Sequence, residues 1–158
     1  MITEGQGLGK RSALLLLAAC LCPALLAGLA KPWKRHTIDS SSKAAGKLGA
    51  DGVRLADVNG DGLLDITTGW EQGGAIVVYQ NPGPAKARAA WPSVTVGRVI
   101  SPEDAVFIDL DGDGNLDVVS SCEGRDRTMY VHWAPAKRAE YLKPSGWVTE
   151  AIPATKRK

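Results

Sequence analysis

Outside one long apolar stretch near the N-terminus, the hydrophobic residues of this chain fall in short runs broken by Gly, Pro and Asp. Three such runs follow one another at 53–56 (VRLA), 66–68 (ITT) and 75–79 (AIVVY). Three more follow at 105–108 (AVFI), 118–120 (VVS) and 128–132 (TMYVH). Short runs rich in β-branched residues and bounded by turn residues predict strands. A further pattern, Trp with an aliphatic residue five positions on, occurs at 33–38 (WKRHTI), 91–96 (WPSVTV) and 147–152 (WVTEAI). Each of these is again the length of one strand.

Together the runs form a unit of four short strands, present twice, with one lone outer strand at 33–38 ahead of the first. Between the first and second strand of each unit lies an acidic nonapeptide, 57–65 (DVNGDGLLD) and 109–117 (DLDGDGNLD), a shift of 52 residues. Periods of about 40–50 residues with four strands each are the mark of propeller blades. The expected fold is all-β: a partial β-propeller with blade 1 at 53–98 and blade 2 at 99–152. A segment at 31–52 would hold the outer strand and a linker, and 153–158 a basic tail. Because propellers typically close with about four to eight blades, two blades read as part of a longer gene's product. Assembly of several chains, or an open two-blade domain, would also account for the count.

The nonapeptides carry the candidate chemistry. Each offers side-chain oxygens at positions 1, 3, 5 and 9 and a glycine at position 6. Hard cations such as Ca²⁺ take about six to eight oxygen ligands, and a glycine permits the sharp turn that wraps them. Two carboxylates about 4 Å apart at an effective dielectric near 20 repel by roughly 4 kcal/mol, so converging acids need a cation. The first loop would bind through the side chains of Asp57, Asn59, Asp61 and Asp65 and the carbonyl of Leu63. The second would use Asp109, Asp111, Asp113 and Asp117 with the carbonyl of Asn115. Two Ca²⁺ sites are expected. An EF-hand closes with a bidentate Glu at position 12, where this chain has Thr68 and Ser120. That difference, and the strand-like flanks, disfavour a helical or dockerin-like loop.

At this point the chain resembles the FG-GAP/VCBS-type repeat proteins, the integrin-α-like calcium-binding β-propellers whose loops read DxDxDGxxD or DxNxDGxxD. The resemblance runs over nearly all of 33–152, although the literal Phe-Gly and Gly-Ala-Pro pieces are absent. It implies calcium ligation by the eight Asp and Asn side chains named above. It also implies a role in recognition or adhesion, with an unidentified protein or carbohydrate as partner. Some members support catalytic domains, so the alternative is the propeller part of an extracytoplasmic carbohydrate-active enzyme such as a polysaccharide lyase. Fold alone does not choose between these.

The N-terminus places Lys10 and Arg11 before an apolar run ending in Gly28-Leu29-Ala30, the pattern of a secretory signal peptide over 1–30. Leu17-Ala18-Ala19-Cys20 inside it resembles a lipobox, which would put a lipid on Cys20. The run is also near the lower length of a spanning helix. A membrane is therefore involved only if the leader is lipidated or retained. In every case the acidic loops lie outside the cytosol.

Charge and cysteine narrow the picture further. The net charge is +2 at pH 7, and losing Lys10, Arg11 and Glu4 with the leader takes it to +1. Such a balance gives no electrostatic footprint for nucleic acid. Cys122 alone remains beyond the leader, so there is no disulfide framework. No nucleophile stands beside a base, and no phosphate-cradling glycine loop or zinc spacing appears, so no enzyme is expected. Glu71 and Glu123 occupy equivalent places after the second strand of each blade, with Asp51 and Glu103 ahead of the first strands, and read as shared turns. Trp33, Trp91 and Trp147 are expected to pack between blades. Trp70 and Trp133, near turns, are candidates for stacking on a ligand, and His36 and His132 read as surface or packing residues.

Overall fold

The computed structural model describes residues 33–155. Two units divide the chain, 1–35 and 36–158, and all the strands lie in the second. The leader, with its signal and lipobox readings, and the last three residues fall outside the described part. Among the described residues no helix is long and apolar enough to cross a membrane.

The strands form two four-stranded antiparallel sheets, each an up-and-down meander. The first contains β1 (Ala50–Ala56), β2 (Asp65–Trp70), β3 (Ala75–Tyr79) and β4 (Ser93–Arg98). The second contains β5 (Pro102–Ile108), β6 (Asp117–Cys122), β7 (Met129–Trp133) and β8 (Val148–Ile152). Both acidic loops join the first two strands of their sheet, as the repeat predicts. The repeat extends to irregularities: β1 is bulged between Asp51 and Arg54, and β5 between Pro102 and Asp104.

Pairing register sorts the side chains by face, because neighbours across a ladder point the same way. In the first sheet Thr67, Val78 and Val94 are aligned on one face, and Thr68 and Val77 on the other. In the second, Val118 and His132 share a face with Ser120 and Tyr130, while Val119 and Val131 lie opposite. The two sheets stack through one continuous core that holds Ile76, Val78, Val94 and Val96 from the first sheet and Ala105, Val118 and Cys122 from the second. Tyr141 and Trp147 close its outer end, with their rings edge to face at 5.2 Å. Strand β5 packs across β1 and β2, so the seam is tightest along its inner edge.

A smaller cluster, Trp70, Ala75, Val77 and Tyr79 with Ile66 and Trp91, lies on the far face of the first sheet. The segment before β1 is laid against it. The Trp91 N–H donates to the Ile38 carbonyl (2.9 Å). The Trp70 indole N–H donates to the Tyr79 hydroxyl, which donates to Asp39 (2.9 Å). Lys47 pairs with Asp39 at 2.5 Å and stands over the Tyr79 ring. Burial works against charge on Asp39, but hydrogen bonds from Lys47, Tyr79 and the Ser40 N–H outweigh it and hold its carboxyl below the ordinary range.

Two expectations need correction here. Residues 33–38 form no strand: Trp33 is 99 % exposed, and the segment's tie to the sheet is the single bond to Ile38. A strand needs a ladder partner for its backbone groups, and among the described residues 33–38 pair with no strand. Trp70 is not a stacking platform, because it is buried with its N–H satisfied. Of the three Trp in register, Trp147 packs in the core between the sheets as expected, Trp91 packs on the far face of the first sheet, and Trp33 is exposed. Trp133 is half-buried and donates to Glu150 (3.0 Å).

Candidate metal centre

The second loop brings Asp109, Asp111 and Asp113 together, each offering an oxygen within 4.8 Å of the others. Glycines at positions 4 and 6 make this turn possible: Gly112 and Gly114 stand at φ 79° and 84°, where a side chain would be strained. Asp109 accepts from the N–H groups of both glycines (2.8 and 3.1 Å), so its carboxylate sits at the centre of the turn. Asp113 accepts from the Asn115 N–H (2.7 Å) and from its side-chain amide. Those bonds hold the Asp113 carboxyl below its ordinary value.

The first loop repeats this geometry. Gly60 and Gly62 have φ of 77° and 83°, and Asp57 accepts from both (2.7 and 2.8 Å). The Gly62 N–H above all holds the Asp57 carboxyl low. Asn59 accepts from the Asp61 N–H and turns its amide NH₂ to Asp61. The Leu63 N–H donates to Asp61 (2.8 Å), as that of Asn115 does to Asp113, which fixes the peptide that sequence reasoning assigns a carbonyl ligand. With Asn59 in place of an acid, this loop carries one carboxylate fewer than the second.

Position 9 has a second job. Asp65 is fully buried and accepts from the Val58 N–H within the loop and the Asn81 N–H after β3. Asp117 does the same with Leu110 and Ala134. Each therefore ties its loop to the far end of the next hairpin. Burial raises the pKa of both carboxyls, and the charges of Asp61 and Asp57 on one side, Asp111 and Asp113 on the other, add to it. Asp117 stands outside the three-carboxylate cluster.

The donor set suits a hard cation: every candidate ligand is an oxygen. Among the described residues, the ion pairs are Lys47–Asp39, Arg54–Asp104 and Lys143–Glu140, and none involves a loop aspartate. The nearest cation is Arg138. It donates to the Gly114 carbonyl (3.0 Å) and also lies over the first loop, where a Cβ on Gly60 would come within 2.6 Å of it. The loops thus hold more converging negative charge than the protein itself neutralises.

Two further constellations escaped sequence reasoning. Glu71, Glu103 and Glu123 converge within 4.8 Å at the end of the sheets away from the loops. The repeat equivalence of Glu71 and Glu123 was visible, but their meeting with Glu103 needs the seam. Desolvation, then Glu123, Asp51 and Glu71, raise the Glu103 pKa. Second, His132 is fully buried and bridges the Ser120 hydroxyl at Nε2 and the Thr149 hydroxyl at Nδ1, both at 2.9 Å. Burial lowers its pKa to about 4, so the ring is neutral. Ser120 is as buried as the ring, so this group is packing within the seam. Cys122 is likewise buried, and its thiol is pushed up to about 11, the opposite of an activated nucleophile.

Residues 57–120 match the family model of the FG-GAP-like repeat. The matched stretch runs from the first acidic loop through the second, so the chain carries an FG-GAP-like repeat there. Its paired sheets form a β-propeller-type module, and repeats of this kind are typically extracellular domains. No curated protein and no solved structure matches the chain.

Proposed function

We propose that this chain is a secreted, calcium-binding propeller module for recognition or adhesion, in which the cation is structural and no catalysis occurs. The observation that carries the reading is the convergence of Asp109, Asp111 and Asp113 in a loop strung between two paired strands. Calcium would be held there with Asp117, and in the first loop by Asp57, Asn59, Asp61 and Asp65. It would supply the positive charge that the loops lack. A ligand that binds only the folded state stabilises it by about 0.4–1.4 kcal/mol per site at a one- to tenfold excess over Kd. Extracellular calcium modules work with Kd of roughly 10⁻⁴–10⁻³ M, which suits an extracytoplasmic location. The partner would be a protein or a carbohydrate.

The test is a thermal melt with millimolar calcium and again with excess chelator. Calcium should raise the midpoint, and the double change Asp61→Ala with Asp113→Ala should abolish that gain. A midpoint indifferent to chelation would remove the structural role. One observation favours the second reading, the propeller part of a carbohydrate-active enzyme: the Glu71, Glu103 and Glu123 cluster, in which one carboxyl has a raised pKa. Acid–base chemistry uses carboxyls so tuned. Loss of a polysaccharide-cleaving activity in Glu103→Gln, with calcium stabilisation intact, would move the assignment there.

A further inference from the structure

The internal repeat shows what each sheet face is for. Shifted by 52 residues, Val53, Leu55, Ile66, Thr68 and Trp70 of the first sheet become Ala105, Phe107, Val118, Ser120 and Cys122 of the second. In the second sheet that face is packed against the first: Ala105 and Val118 are fully buried in the seam. In the first sheet the equivalent face has no sheet upon it among the described residues. Val53 and Leu55 are each 56 % exposed, beside an apolar hollow of about 200 Å³ lined by Ile38, Val53, Ile66 and Trp70. The segment at 38–47 covers the β3 side and leaves β1 exposed, while Thr68 and Trp70 of β2 are buried. The strand equivalent to β1 in the second sheet, β5, is the one that packs across β1 and β2 in the seam within the chain.

The complementary surface lies at the chain's other end. Ile76 and Val78, which receive the second sheet in the seam, correspond after a shift of 53 residues to Met129 and Val131. These lie on the outer face of the second sheet, with Val106 and Val119 beside them. Met129 and Val106 are 38 % and 37 % exposed, whereas Ile76 is fully buried; Val131, like its equivalent Val78, is buried. One copy therefore carries both halves of a seam it already makes once internally.

We infer that a second copy of this chain docks the outer face of its β5–β8 sheet onto the exposed β1 side of the first copy's far sheet face. The contact is head-to-tail and continues the seam already present. Such a heterologous contact closes into a ring when the rotation allows.

The experiment is light scattering and native mass spectrometry on the full chain in calcium, from about 1 to 100 µM. Wild type should self-associate as the concentration rises. Val53→Asp and Met129→Asp should each be monomeric while keeping the wild-type circular dichroism spectrum and a cooperative melt. Leu55→Lys and Val106→Lys serve if either fails to fold. Mixing Val53→Asp with Met129→Asp should restore a one-to-one heterodimer, because each retains the face the other has lost. Wild type that stays monomeric throughout, assembly untouched by both changes, or a mixture that fails to pair would each overturn the proposal.

Discussion

Gly97 on β4 lies flat against the imidazole of His132 on β7, with no room between them for a methyl group. A Cβ at Gly97 would collide with the ring and come within 2.7 Å of the Thr149 hydroxyl. This glycine is chosen for the close approach of two sheets. Gly97→Ala must push His132 from its two hydroxyl partners or part the sheets. Overpacking of this kind costs about 1–3 kcal/mol, and the upper end is expected because a hydrogen-bonded ring is displaced. Urea denaturation at pH 7 measures it. An unchanged midpoint would mean that the seam is looser than described.

The same histidine sets a pH dependence. Its pKa is lowered to about 4 in the folded chain, against about 6.5 in an unfolded one. The unfolded state therefore binds the extra proton first. Stability is full above about pH 6.5 and falls as pH drops through that value toward 4. The loss amounts to about 3 kcal/mol. Denaturation curves at pH 7, 5.5 and 4 should show this slope, and His132→Gln should flatten it relative to wild type.

Glu103 has the opposite sign. Its pKa is raised in the folded state by desolvation and by Glu123, Asp51 and Glu71. Ionisation there opposes folding above its folded pKa and is neutral below its unfolded one. Glu103→Gln should therefore raise the melting temperature at pH 7, and the gain should vanish as pH falls below the carboxylate range. A melt series across that interval would decide.

The aspartates at positions 5 and 9 of the loops should separate by experiment. Asp113→Ala removes an exposed carboxylate and should leave the melt in chelator nearly unchanged, while erasing calcium-dependent stabilisation at that loop. Asp117→Ala leaves two N–H groups, Leu110 and Ala134, without their acceptor. Bonds to a charged acceptor are worth about 1.5–3 kcal/mol each, so a loss of about 3 kcal/mol is expected even in chelator. Equal melts for the two variants in chelator would contradict this division.

The loops should also differ in affinity. Affinity in such sites follows the number of charged ligands, and the first loop has Asn59 where the second has Asp111. Calorimetric titration should resolve a weaker and a tighter site. Asn59→Asp should tighten the weaker one. Two identical sites in wild type would argue that charge count does not govern them.

Much of this arrangement was readable in the chain. The AIVVY run at 75–79 became β3 residue for residue, and both acidic loops fall between the strands they were expected to join. Strand starts were less visible: β1 begins at Ala50 because Asp51 and Gly52, turn residues by type, are absorbed in a bulge. The strand expected at 33–38 failed because a Trp motif marks only the potential to pair, and pairing needs a neighbour. Trp70 was placed by its closeness to a turn, although Ile66, Thr68 and Trp70 alternate in the pattern of one buried face. The Ser120, His132 and Thr149 group could not be read at all. Its members come from three strands, and only ladder register aligns them.

Arg138 leans on both acidic loops at once, through the Gly114 carbonyl and over Gly60. An ion entering either loop meets that fixed positive neighbour. Its positive charge opposes both arrivals, so removing this one arginine should tighten the weaker and the tighter site alike.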